Sequence, residues 1–154
     1  MKNIIEAIRN NNSRIKSYIL LGEVGSGKTK ELLKIENIKY INFLEEAKKF
    51  FDKEMLSLTL FEIGIFFKYI ERLIDYNRGI VVIDNLEFVQ NILYNLEKNE
   101  NGLKKFFDSM IMQAYTGKVI FIISNIKKMK LENILEKSKL PEENIIIWRK
   151  KDAD

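Results

Sequence analysis

Eight consecutive residues, Gly22 to Thr29, read GEVGSGKT and place glycine, lysine and threonine in the spacing G-x-x-x-x-G-K-[ST]. Glycines at such spacing let the backbone wrap so that successive N–H groups converge on anion oxygens, where a Cβ would block the approach. Gly22, Gly25 and Gly27 meet that need, with Ser26 inside the same turn. The run then enters a predicted helix, whose N-terminal partial positive charge adds to anion binding. In this arrangement Lys28 reaches the β- and γ-phosphates of a nucleoside triphosphate and the Thr29 hydroxyl ligates magnesium. The plain alternative, a surface loop with an accidental lysine, leaves the apolar strand before it and the helix after it unexplained. ATP with Mg2+ is the expected ligand; no guanine-specifying NKxD run is present, and nothing in the loop itself separates ATP from GTP.

Two further strand ends carry polar groups. Residues 80–87 read IVVIDNLE, which brings Asp84 to the carboxyl edge of a strand. Ligands bind at that edge in open α/β sheets, and a carboxylate there holds magnesium through water. Capping of the helix that starts near Leu86 is the competing role for Asp84. Val119 to Ile123 ends in Ser124-Asn125. A polar side chain at that point, Asn125 above all, can orient the attacking water or touch the γ-phosphate, while capping or turn formation accounts for Ser-Asn equally well.

Composition narrows the chemistry. The chain has no cysteine and no histidine, which removes disulfides, thiolate and imidazole metal sites, and Ser-His or Cys-His catalysis. Carboxylates, lysine, hydroxyls, backbone amides and a bound metal ion remain. At 154 residues the chain is long enough to bury roughly two-thirds of its unfolded surface and too short for two ordinary domains. Charge interrupts the apolar residues of MKNIIEAIRNNNSRIKSY, so no signal-peptide core and no membrane span of about 20 residues is expected, and the cytoplasm is the expected location. A net charge of +4, mostly lysine against many acids, reads first as a solvated surface. Contact with a nucleic-acid backbone would draw on Lys104, Lys105, Lys127, Lys128 and Lys130.

The elements that must position these residues follow from periodicity. Residues 2–9 place Ile4, Ile5 and Ile8 at helical spacing, and Asn10 to Ser13 end that helix. Tyr18 to Leu21 is a short buried strand, Lys28 to about Ile35 a short helix and Lys39 to Phe43 a second strand. Leu44 to Met55 and Leu58 to Tyr76 predict two helices. The second, with Phe61, Phe66, Phe67 and Tyr69, is apolar on more than one side, one side for the core and the other open to core or partner. Gly79 interrupts helix, and Ile80 to Ile83 is a β-branched run typical of a strand covered on both faces. Leu86 to Leu96 and Leu103 to Tyr115 are helices joined by an exposed KNENG loop. Val119 to Ile123 is a strand, Lys130 to Lys137 a helix, Leu140-Pro141 a break and Ile145 to Trp148 a last strand. Five short strands separated by helices imply one α/β domain, a three-layer sandwich on a mostly parallel sheet.

GEVGSGKT, IVVIDNLE and VIFIISN resemble, in order and spacing, the additional-strand class of P-loop ATPases, which includes the AAA+ and STAND proteins. The resemblance implies a sheet in the order 5-1-4-3-2, with Val119 to Ile123 as the intervening strand. Within that class the small size, the absence of a helical lid after the last strand and KYINF followed by apolar helices are similar to the small P-loop protein of BREX phage-exclusion systems. That likeness implies an accessory ATPase in antiviral defence, acting with larger partners on or near DNA; protein partners or a homo-oligomer are expected.

Two departures from the class bear on mechanism. Many of its members follow the aspartate directly with a water-polarising glutamate, whereas Asn85 follows Asp84 here and cannot accept a proton. Glu87, one turn into the presumed helix, either points back toward the phosphates or lies exposed, and Glu23 is a second candidate. The chain also has only five arginines, of which Arg149 is placed either to reach a neighbouring subunit or to solvate a strand end. Three functions compete: a switch ATPase, a nucleotide-gated binding module with little hydrolysis, favoured by Asn85, and a small-molecule kinase. The last is disfavoured because residues 97–140 contain no arginine for a phosphate-covering lid.

Overall fold

The β-branched runs assemble into a single sheet, and their pairing fixes which polar residues meet. In the computed structural model, which describes residues 1–23, 25–46, 49, 63–75, 79–96 and 100–149, the strands are β1 (Ser17–Gly22), β2 (Ile38–Asn42), β3 (Ile80–Asp84), β4 (Val119–Ser124) and β5 (Ile145–Ile147). Their order is β2-β3-β4-β1-β5, and every pairing is parallel. This is the order 5-1-4-3-2 expected from the resemblance, with β4 between β1 and β3; the sheet is wholly rather than mostly parallel. Register sets Gly22 against Ser124 and Asn42 against Asp84, so four strands deliver polar or glycine residues to one edge.

Because side chains alternate across a strand, the apolar runs feed two cores. Ile19, Leu21, Val81, Ile83, Phe121 and Ile123 face one cluster, and Tyr18, Leu20, Ile80, Val82, Ile120 and Ile122 face the other. Helices α1 (Lys2–Asn10) and α2 (Lys28–Leu33) cover the second face through Ile5, Ile8 and Leu32. The first face carries α3 (Ile63–Asp75), α4 (Glu87–Leu96), α5 (Asn101–Met110) and α6 (Leu131–Lys137), which makes the three layers. Phe66, Phe67, Phe106 and Phe121 form its aromatic centre, with ring centroids 5.3–6.4 Å apart.

α3 buries Phe66, Phe67, Tyr69, Ile70 and Ile74, so its broad apolar surface is largely core; Phe61 lies outside the described residues. Of the expected helix Leu44 to Met55, residues 44–46 and 49 are described and helical, and 47, 48 and 50–55 fall outside. The KNENG loop is shorter than expected, since Asn101 and Gly102 already belong to α5, with Gly102 buried. That helix stops at Met110 rather than Tyr115, and a turn follows. α2 ends at Leu33, two residues early, and β5 ends at Ile147, with the Trp148 indole bonded to the glycine loop. No described helix is long and apolar enough to cross a membrane.

Candidate phosphate-binding site

The loop between β1 and α2 has the backbone its glycines predict. Gly25 and Gly27 have φ values of 76° and 88°, a region side-chain-bearing residues enter only with strain, and Gly27 is the N-cap of α2. At Gly22 the space is tight: an added Cβ would lie 3.1 Å from Lys28 Cδ and 3.3 Å from both Ser26 Oγ and the Trp148 carbonyl oxygen. Two donors hold the loop from outside. The Trp148 indole N–H donates to the Ser26 carbonyl at 3.2 Å, and the Asn125 N–H to the Gly22 carbonyl at 2.8 Å.

Lys28 is buried, and its ammonium donates to the Glu23 carbonyl at 2.9 Å. Burial pulls this ammonium below the ordinary lysine value, while the charges of Asp84 and Glu87 pull the other way. The Ser26 hydroxyl is buried without a partner, an orphan group that a phosphate oxygen would satisfy. Beside the loop lies a cleft of about 400 Å³ lined by Gly22, Glu23, Ser26, Asn125, Trp148 and Arg149, among others. Arg149 and Glu23 are therefore both at its wall, and both are exposed.

Asp84 does not line this cleft. It meets the loop through Thr29, whose hydroxyl donates to Asp84 Oδ2 at 2.7 Å across 55 residues of sequence. The Tyr40 hydroxyl donates to the same oxygen at 2.6 Å, and the Asn85 N–H donates to Oδ1 at 2.7 Å. Asp84 is thus engaged with the loop's helix, and α4 starts only at Glu87. Among the described residues no group of three or more acidic side chains gathers in metal-binding proximity. One carboxylate, one hydroxyl and the phosphates of a nucleotide are nevertheless the donor set magnesium takes in phosphate-transfer sites. Thr29 and Asp84 fit that set.

Asn85 has a backbone reason. Its φ of 61° is left-handed, which asparagine tolerates and glutamate disfavours. This turn redirects the chain into α4, whose first residue is Glu87. Glu87 is not an exposed helical acid: it is half-buried, and Oε1 accepts the Ser124 hydroxyl at 2.6 Å. The Gln90 amide, on the next turn of α4, exchanges bonds of 2.9 and 3.1 Å with the Ser124 carbonyl and N–H, which fastens α4 to the end of β4. Tyr40 and Gln90 were not singled out by the sequence. Their partners are fixed by strand register and helix packing, and no local motif marks them.

The lysines divide. Lys104 pairs with Asp108 at 2.8 Å, and Lys128 lies 5.9 Å from the centre of the Tyr94 ring on the turn after β4. Comparisons of the chain with protein-family models, with curated proteins and with solved structures found no match.

Proposed function

We propose that this chain binds ATP with magnesium on the Gly22–Thr29 loop and hydrolyses it as a nucleotide switch for larger protein partners. The observation that carries the reading is the 2.7 Å bond from Thr29 to Asp84, which joins the lysine-bearing loop to the acidic strand end. In this reading the loop amides and Lys28 hold the β- and γ-phosphates, and the Ser26 hydroxyl gains its missing partner. Magnesium, when bound through Thr29 and Asp84, neutralises phosphate charge and steadies the γ-phosphoryl group. Glu87 takes the proton of the attacking water on its second carboxylate oxygen, while Ser124 keeps the first. The water oxygen bonds to the γ-phosphorus as the β–γ bridging bond breaks, and ADP and phosphate leave. Asn125, at the cleft wall, orients the water.

The same strand order and motifs support a member of the additional-strand ATPases, and the likeness to the small BREX P-loop protein makes antiviral defence the setting we propose. A homo-oligomer or a complex on DNA is compatible with that setting. Asn85 favours a second reading, a nucleotide-gated binding module with scarcely any hydrolysis. Phosphate release by wild type and Lys28→Ala with magnesium separates them: turnover lost in the variant supports the switch, and equal release with retained ATP binding in wild type supports the module.

A further inference from the structure

We propose that Tyr40 is a positioning residue for the metal side of this site, acting through Asp84. The inference rests on the reading of Thr29 and Asp84 as the magnesium-facing pair. Tyr40 lies on edge strand β2, opposite Val82; Asn42 is the residue opposite Asp84. The phenol therefore reaches two residues along the neighbouring strand to place its proton on Asp84 Oδ2 at 2.6 Å. Its ring packs against the apolar cluster beneath α2, a task phenylalanine would perform as well. A phenol carries its proton across the physiological range, so the hydroxyl is a donor there.

What the hydroxyl adds is control of a second hydroxyl. Thr29 has one proton and two lone pairs. While that proton is committed to Asp84 Oδ2 at 2.7 Å, the lone pairs are left for a cation. With Tyr40 on Oδ2 and the Asn85 N–H on Oδ1, both oxygens are pinned, and the carboxylate cannot rotate away from Thr29. Without Tyr40 only one side-chain donor holds Oδ2. Partners that orient metal-binding groups in this way are worth about 10–100-fold in metal affinity.

The test is calorimetric binding of ATP to wild type and Tyr40→Phe, once in EDTA and once with excess magnesium. Wild type is expected to bind more tightly with magnesium. The variant is expected to match wild type within about twofold in EDTA and to lose about tenfold of the magnesium-dependent gain. An unchanged gain in the variant overturns the role of Tyr40 alone. Equal weakening in both conditions does the same, because it marks a merely structural side chain. A wild type that binds no ATP, or binds it equally in EDTA and magnesium, overturns the underlying reading and this inference with it.

Discussion

Replacing Glu87 with glutamine separates the chemistry of this side chain from its structural bond. The amide keeps the length of the side chain and leaves an oxygen for the Ser124 hydroxyl, which donates to Glu87 at 2.6 Å. A bond to a charged acceptor becomes a neutral one, at a cost of about 1 kcal/mol in stability. For a chain of this size that is a shift of about 2–4 °C in Tm. The carboxylate proposed to accept the proton is lost outright. General-base catalysis contributes about 10²–10⁴-fold, equivalent to about 3–5 kcal/mol of transition-state stabilisation. Lys28 loses one of the two carboxylates that offset its burial but keeps Asp84, so ATP affinity should change by no more than a few-fold. The assay is single-turnover phosphate release with protein in saturating excess over ATP and with magnesium, beside calorimetric ATP binding and a thermal melt. Glu87→Gln should bind and melt nearly as wild type does and turn over at least about 100-fold more slowly. Turnover within about fivefold of wild type would refute the assignment of Glu87 as base.

Gln90→Met should destabilise the fold by about 2–4 kcal/mol in urea denaturation, because the Ser124 N–H and carbonyl lose the partners that the buried amide supplies; turnover should fall as well, through displaced Ser124. Asp108 gives a pH signature away from the site. Burial alone would raise its pKa, but bonds from Lys104 and the Lys139 N–H, with both lysine charges, outweigh it and hold the carboxyl below its ordinary value. Its stabilising contribution is therefore fully present above about pH 4 and is lost as pH falls through the lower folded value. Asp108→Asn should flatten the acid limb of a Tm-against-pH curve below about pH 4 and leave the curve's shape at neutral pH unchanged.

Much of this architecture is legible before any coordinates. Ile80 to Ile83 and Val119 to Ile123 are apolar at every position because both faces of a central strand are covered, and each forms the strand expected of it. Gly25 and Gly27 have the positive φ values the loop pattern demands. Helix ends are less legible: α5 runs from Asn101 to Met110, displaced from Leu103 to Tyr115, although the apolar spacing is read correctly. Tyr115 is buried beyond the helix end, so burial alone does not mark helix.

Long-range polar partners are the least legible layer. Glu87 and Ser124 are 37 residues apart, and only the packing of α4 against β4 decides whether the glutamate faces solvent or the strand end. Tyr40 depends on the register of β2 against β3, which nothing in KYINF encodes. Asn85 reads in sequence as a missing base; in the fold it is a left-handed turn residue that lets Glu87 come back to the sheet edge. Trp148 reads as the end of a strand, yet its indole holds the Ser26 carbonyl of the glycine loop.

The central claim is that Gly22 to Thr29 is a nucleotide site, and calorimetric titration of ATP with magnesium into wild type and Lys28→Ala tests it most directly. Saturable one-to-one binding by wild type that weakens at least about tenfold in Lys28→Ala, which removes a charge-assisted bond to phosphate worth about 1.5–3 kcal/mol, is the predicted result. Absence of binding to a folded wild-type chain, or equal affinity in the two proteins, would contradict it.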